Sequence, residues 1–274
     1  MAAKSQYNLP FIRANSLGFE YNANSVLTQI TNFIAVYRHH EHIAATTADV
    51  VAHSMGGDVV RTIYRLPASR LPVFGKGPVN KLITIATPHL GSPLPADLLD
   101  PQNYCVRNIL AATGQVPVGS ARFGGNKVNG AMADLQGDIS AGQLSPALQN
   151  LSYHTGAEPF RIASIAAIAG ATNVRDTDCD LCLPCIIRAM CGSEPMVNDL
   201  RSRNWLNRYH DTDAIVPAQS ALNNTTGFTQ RGLIHSSALE TLGFDGPSVL
   251  DANTPVAQLV IQLLNEDPAG TDFH

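Results

Sequence analysis

The segment Val50-Val51-Ala52-His53-Ser54-Met55-Gly56-Gly57 is the point from which the rest of the chain can be understood. Two β-branched valines precede a serine that stands between small residues, and a helical pattern follows Gly57. This is the nucleophile-elbow pattern G-x-S-x-G, in which a strained serine on an abrupt strand-to-helix turn tolerates only small neighbours. Ala52 replaces the first glycine, and we expect Gly56 to let the helix pass close to the strand. The segment predicts that Ser54 is a nucleophile.

The surrounding sequence alternates between strand and helix patterns. Apolar residues recur at helical spacing after Asn24 or Ser25, and either residue can cap the helix. The segment 81–86, which is apolar after Lys81 except for Thr84, is typical of a strand buried on both faces of a parallel sheet. The predicted elements are strand 11–16, helix 25–40, strand 48–51, helix 56–66, strand 81–86, strand 160–169 and helix 255–264. Their order predicts an α/β fold with a mostly parallel, doubly wound sheet and right-handed crossovers.

We expect the 274 residues to form a single α/β domain with two irregular segments. Residues 91–158 are rich in Gly, Pro, Asn and Gln, with short helical patches near 104–112 and 146–151. We interpret them as a cap or lid inserted over the carboxyl edge of the sheet. Residues 172–195 contain four of the five cysteines and form a Cys-rich loop.

The charge and the apolar runs of the sequence argue against several binding partners and against a membrane span. The net charge of −4 argues against binding to nucleic acid or to an anionic membrane surface. The longest apolar run, 162–171, is too short for a transmembrane segment, which needs roughly 20 residues. The first ten residues lack the apolar region of a secretory signal. We therefore expect a cytoplasmic protein, or a secreted one if the chain is a shortened form.

A serine hydroxyl is a weak nucleophile at neutral pH, so it needs a general base and an acid that orients the base. In a parallel sheet these partners come from loops at the carboxyl ends of later strands. Asp213 precedes Ala-Ile-Val-Pro, and His235 follows about twenty residues later, in the order Ser, Asp, His that accompanies such a turn. Asp211 is the other candidate for the acid, and either aspartate could instead be an ordinary turn residue.

Several motifs occur together, namely residues 52–57, 82–92, 131–148, 213–217 and the late His235. In combination they resemble the bacterial lipases and esterases of the α/β-hydrolase superfamily, over roughly residues 11–264. The combination is more specific than any one motif. The acid of that family is usually followed by glycine, where this chain has Ala214.

The resemblance implies that Ser54 is the nucleophile, His235 the base and Asp213 the orienting acid. It also implies that the backbone N–H of Met55 donates to the oxyanion. The family's second donor follows an upstream strand with a His-Gly loop, and the start of this chain contains no such strand. We expect a hydrolase fold shortened at its N-terminus, in which residues 15–18 substitute, the enzyme is slow, or the chain is a fragment. The loss of one oxyanion donor costs about 10²–10³ in rate.

An absent strand leaves backbone groups unpaired at the edge of the sheet and exposes apolar surface. We therefore expect a homodimer formed through that edge.

The remaining residues that carry chemistry have simpler interpretations. His53 and His89 lie beside motif residues, and we expect them to shape the site. The histidines of 38–42 end a helix, where they complement the helix dipole more often than they bind a metal. We favour disulfides or free thiols over zinc for the cluster in 172–195, because its spacing matches neither ferredoxins nor zinc knuckles. That cluster consists of Cys179, Cys182, Cys185 and Cys191. No metal or cofactor is expected.

The predicted activity is hydrolysis of a carboxylic ester through an acyl-enzyme. Acyl or lipid esters are the expected substrates, because the weakly charged, Gly- and Pro-rich segment 91–158 would form an apolar acyl pocket. Acyl transfer to an alcohol at the same site is an alternative. A non-catalytic binding protein with the same fold is another, and the complete Ser/Asp/His set argues against it.

Overall fold

The structure is a computed structural model that describes residues 17–67, 75–93, 95, 130–139, 142–153, 159–169, 211–223, 225–237 and 246–274. The helices in these ranges are α1 (Gly18–Glu41), α2 (Met55–Ile63), α3 (Ala131–Asp134), α4 (Pro146–Tyr153), α5 (Ala218–Ala221) and α6 (Pro255–Asn265). The strands are β1 (Ala48–His53), β2 (Val79–Ile85), β3 (Gly137–Asp138), β4 (Gln143–Leu144), β5 (Arg161–Ile168) and β6 (Phe228–Arg231). None of these helices combines the length and apolar character that a membrane crossing requires.

Four of the strands form one parallel sheet in the order β1-β2-β5-β6. The register pairs His53 with Ile85 across β1 and β2, and Ile165 with Phe228 across β5 and β6. The strands therefore end at a common carboxyl edge, where Ser54 follows β1. The predicted α/β fold with a parallel sheet is confirmed.

Alternate side chains of the central strands enter two separate cores. Leu82 of β2 and Ile162 of β5 pack with residues of α1, α2 and α4 on one face of the sheet. Ile83 of β2 and Ile165 of β5 pack with α6 on the opposite face. Burial of each such side chain contributes roughly 1.5–3 kcal/mol. Helices thus cover both faces of β2 and β5, which explains why these strands are mostly apolar.

Helix α1 begins earlier than the sequence indicates. The expectation that Asn24 or Ser25 caps it is wrong, because the helix starts at Gly18. An unpaired backbone N–H group at its N-terminal end finds its acceptor elsewhere in the chain, because the N–H of Phe19 donates to Asp134 Oδ2 at 2.8 Å. A carboxylate at this end also favours the helix dipole. Because the acceptor is 115 positions away, no local pattern could indicate it.

Lys81 is a buried charge with a structural use. Its side chain is only 2% exposed. The Nζ atom donates to three carbonyl oxygens at the end of α6, those of Leu263 at 2.9 Å, Leu264 at 2.9 Å and Glu266 at 2.6 Å. A cation here satisfies carbonyl groups that have no partner within the helix. The lysine therefore fastens α6 to β2 from inside the core.

Part of the segment 91–158 is built into the main core. Its hairpin β3–β4 is antiparallel, and the predicted helical patch at 146–151 is confirmed as α4. Leu148 and Leu151 of α4 are almost completely buried on the side of the sheet that α1 and α2 cover. The patch near 104–112 and the Cys-rich loop lie outside the described residues, and the cap over the site stays a prediction.

Candidate active site

Ser54 stands on the turn between β1 and α2, the sharp strand-to-helix turn that the sequence predicts. Its backbone angles are φ 55° and ψ −137°. Non-glycine residues rarely adopt such a conformation, which costs on the order of 1–3 kcal/mol. The N–H of Ser54 donates to the carbonyl oxygen of Ile85 at 2.9 Å. The strained turn is thereby fixed to the end of β2.

The close approach of α2 to the sheet depends on Gly57. A Cβ atom on Gly56 would meet only Ala52 Cβ, at an ordinary 3.8 Å. A Cβ atom on Gly57 would lie 2.6 Å from Thr87 Cγ2 and 3.0 Å from Thr84 Cγ2. The expectation that Gly56 permits the close packing is therefore wrong. The tight contact is with β2 and the loop after it, and not with the strand that precedes Ser54.

Three side chains from distant parts of the chain form one row of hydrogen bonds. His235 Nδ1 lies 2.7 Å from Asp213 Oδ2, and His235 Nε2 lies 2.9 Å from Ser54 Oγ. A carboxylate only accepts, so Nδ1 donates and the neutral ring leaves Nε2 to accept from the hydroxyl. Asp213 is fully buried and His235 is 4% exposed. Such an arrangement allows the imidazole to remove a proton from the serine.

The loop around Asp213 fixes the carboxylate. Its Oδ1 accepts from the N–H groups of Ile215 at 2.9 Å and Val216 at 2.7 Å, which leaves Oδ2 for His235. The N–H of His235 also donates to the Asp213 carbonyl oxygen at 3.0 Å. The rival Asp211 has a side chain that is 57% exposed. Of the two candidates, Asp213 is the aspartate that contacts the histidine.

His53 also contacts His235. Its Nε2 is 3.1 Å from the backbone carbonyl oxygen of His235, and the two rings are tilted by 40° with their centroids 4.6 Å apart. Burial lowers the pKa of His53 to about 3, and the electrostatic interaction with the nearby His235 is the second cause. His53 is therefore neutral throughout the pH range in which histidine bases normally act.

His89 lies beneath the helix that follows Ser54 and is fully buried. Its Nδ1 is 3.2 Å from both Asp58 Oδ1 and Arg61 Nη1, two side chains of α2. Its Nε2 is 3.2 Å from Thr84 Oγ1 on β2. These contacts join α2 to the sheet through polar groups and thereby help to hold the helix that follows the Ser54 turn.

Met55 is the first residue of α2, so its backbone N–H lies in the first turn of the helix. N–H groups in the first turn of a helix have no intrahelical acceptor and carry the positive end of the helix dipole. Most of the loop 15–18 proposed as a second donor lies outside the described residues. Within the described ranges, no group of three or more His, Cys, Asp and Glu side chains is placed to hold a metal ion. The histidines of 38–42 are exposed at the end of α1.

The chain is similar to several known proteins. Residues 12–111 match a family model described as a PGAP1-like alpha/beta domain. The mature lipase BlEst2 of Bacillus licheniformis superposes with a TM-score of 0.50 at 15% identity, covering 91% of this chain and 75% of that chain. Its propeptide form gives 0.51 at 14% identity, covering 93% and 42%. Phospholipase PlaB of Legionella pneumophila gives 0.49 at 12% identity, covering 92% and 50%. No curated protein sequence matches the chain.

At 14–15% identity, the superposition on BlEst2 shows a shared fold and nothing further. The parallel sheet, the helices on both of its faces and the strained serine turn agree with that likeness. The chain therefore has the α/β-hydrolase fold, which it shares with BlEst2.

Proposed function

We propose that the protein is a serine carboxylic-ester hydrolase that acts through Ser54, His235 and Asp213. The observation that supports this most strongly is the continuous row of hydrogen bonds from the carboxylate through the imidazole to the hydroxyl, at 2.7 Å and 2.9 Å. The strained backbone of Ser54 and the α/β-hydrolase fold favour the same reaction.

Ser54 Oγ attacks the ester carbonyl carbon while His235 Nε2 accepts the hydroxyl proton. The N–H of Met55, at the positive end of α2, donates to the oxyanion of the tetrahedral intermediate. The bond to the alcohol then breaks, and the alcohol leaves with the proton from His235. Water deprotonated by the same nitrogen hydrolyses the acyl-enzyme and restores the serine.

Asp213 has two roles in this mechanism. Its Oδ2 holds the proton of His235 on Nδ1, so that Nε2 faces the serine. Its negative charge also stabilises the imidazolium that forms when the serine proton is transferred. Because two backbone N–H groups fix Oδ1, the carboxylate keeps its orientation while the histidine changes charge.

We propose acyl or lipid esters as the substrate class. The structural neighbour BlEst2 is described as a lipase, and the low charge of the segment 91–158 fits an apolar acyl group. The proposed chemistry draws on protein side chains and water only.

Turnover of a short-chain nitrophenyl ester tests the proposal directly. We expect Ser54→Ala to lower kcat by about 10⁴-fold or more, because the nucleophile is lost. Ser25→Ala on α1 is the matched control and should leave turnover unchanged. Turnover that survives Ser54→Ala would refute the proposed nucleophile.

The same assay with added alcohol separates hydrolysis from acyl transfer. Free acid as the main product agrees with the proposal. A new ester formed in preference to the acid would identify the protein as an acyltransferase that uses the same residues.

A further inference from the structure

His53 joins the strand that carries the proposed nucleophile to the loop that carries the proposed base. It is the last residue of β1 and directly precedes Ser54. Its Nε2 lies 3.1 Å from the carbonyl oxygen of His235, a residue 182 positions away. Because a carbonyl oxygen only accepts, Nε2 must carry the proton, which fixes the tautomer of His53. This bond runs beside the one between Ser54 and the ring of His235.

The contacts of His235 show what the extra bond adds. The N–H of His235 donates to the backbone of Asp213 at 3.0 Å, and its ring nitrogens contact Asp213 and Ser54. The contact with His53 engages the carbonyl oxygen of the same residue and brings a second ring to 4.6 Å from the imidazole. The main chain is thus held on both sides of the Cα atom. Rotation of the backbone at this residue would swing the ring away from Ser54 Oγ.

We propose that His53 is a positioning residue for His235, which anchors the backbone of the base through the Nε2–H···O=C hydrogen bond and packs against its ring. The inference rests on the proposed function of Ser54 and His235 and names a further residue on which the base depends.

The chemistry of the imidazole explains why histidine suits this position. Its flat ring can pack against His235 while its tip donates one hydrogen bond, a combination that few side chains offer. Burial keeps it uncharged, since its pKa is lowered to about 3. A lysine or arginine could also donate to the carbonyl oxygen. It would, however, place a fixed positive charge beside a ring that must itself become positive during catalysis.

Substitutions that separate the hydrogen bond from the ring test this inference in the full chain. His53→Gln retains a donor without the ring, whereas His53→Phe retains a ring without the donor. His53→Ala is a second variant without a donor, for use if the phenylalanine variant does not fold. His40→Gln, on the exposed end of α1, is the matched control.

We expect His53→Phe and His53→Ala to lower kcat for a nitrophenyl ester by about three- to tenfold, the loss that corresponds to one hydrogen bond. KM should change by less than about twofold, because the proposed role of this bond is to hold the base and not to bind the substrate. His53→Gln should retain most of kcat, and His40→Gln should equal the wild type. An equal loss in the glutamine and phenylalanine variants, a change confined to KM, or no change at all would overturn the proposal.

Proton NMR of the Nδ1–H of His235 provides a readout that does not require turnover. Its hydrogen bond to Asp213 should keep the proton visible at low field in the wild type and in His53→Gln. It should broaden through faster exchange with water in the variants without a donor. An unchanged signal in those variants would overturn the positioning role. If the signal behaves as expected but Ser54→Ala still turns over ester, the proposed function fails and the positioning of His235 stands.

Discussion

Asp211 and Asp213 are two residues apart, yet they have different surroundings. Asp213 is fully buried, and its carboxylate accepts from two backbone N–H groups and from His235. Asp211 points towards solvent and lies 3.6 Å from Arg231, whose side chain is 73% exposed. Exposed ion pairs of this kind contribute about 0–1 kcal/mol. The two aspartates therefore form a natural pair of test and control.

We expect Asp213→Asn to lower kcat by about 10⁴-fold, because an amide can present a donor to His235 and stabilise the wrong tautomer. Asp211→Asn should remain within about twofold of the wild type, since it breaks only an exposed ion pair. Steady-state kinetics of the two variants with the same nitrophenyl ester make the comparison. If Asp211→Asn is the damaging change, the acid has been assigned to the wrong residue.

The buried His53 predicts how stability depends on pH. Its pKa is about 3 in the folded protein and 6.5 in the reference state. The unfolded chain therefore binds the proton first as the pH falls. The contribution of neutral, buried His53 to the free energy of unfolding is therefore complete above pH 6.5. It is lost progressively as the pH falls towards 3.

Urea unfolding of the wild type and His53→Gln at neutral pH and at about pH 5 measures this contribution. The free energy of unfolding of the wild type should fall more steeply with acidity, by up to about 1.4 kcal/mol per pH unit. The glutamine variant lacks this titration and should show the shallower slope. Parallel slopes would show that His53 does not titrate in the way its burial indicates.

The sequence was informative about single residues only where a motif surrounds them. The order of Ser54, Asp213 and His235 suggested that they meet, and they lie within hydrogen-bonding distance; their catalytic roles stay predictions. The contact between His53 and the backbone of His235 had no signal in the sequence, because it depends on how a distant loop packs. The same holds for the buried partners of His89 on α2.

At the scale of elements, the packing of α2 on β2 fixes the geometry of the serine turn. We expect Gly57→Ala to lower the unfolding temperature and kcat together, because its Cβ would clash with Thr87 and force α2 outwards. Overpacking of this kind costs roughly 1–3 kcal/mol. Gly56→Ala should be nearly neutral in both measurements, since its Cβ has room. Thermal unfolding and ester turnover of both variants provide the test, and the reverse ranking would contradict it.

Strands β2 and β5 could be predicted from the sequence because their patterns reflect burial on both faces. Both strands are mostly apolar because α6 covers one face and α1 and α2 cover the other. β6 was missed because it contains only four residues, Phe-Thr-Gln-Arg, and half of them are exposed. The start of α1 was misplaced because its cap is the carboxylate of Asp134. Short edge strands and tertiary caps leave no periodic signal in the local sequence.

At the scale of the molecule, β1 lies at one end of the sheet that the described strands form, and among them it pairs with β2 alone. Val51 on this strand is 41% exposed. An edge strand with an exposed β-branched side chain favours pairing with another chain. These features support the expected homodimer, which stays a prediction.

We expect the wild type to form a concentration-dependent dimer in light scattering coupled to gel filtration. Val51→Lys should weaken it by at least about tenfold, because a charge on an edge strand opposes pairing. Val36→Lys is the matched control, since Val36 is 57% exposed and belongs to α1 and not to β1. A wild type that is monomeric at every concentration, or a dimer that tolerates Val51→Lys, would exclude association through β1.

The assignment of Ser54 as the nucleophile is tested most directly by the mass of the protein after reaction with a fluorophosphonate, followed by peptide mapping. We expect one adduct per chain, located on Ser54, because this hydroxyl alone would have His235 as its base. The adduct should be absent from Ser54→Ala and should form far more slowly in His235→Ala. An adduct on another residue, or none at all in a protein that still hydrolyses ester, would contradict the assignment of Ser54 as the nucleophile.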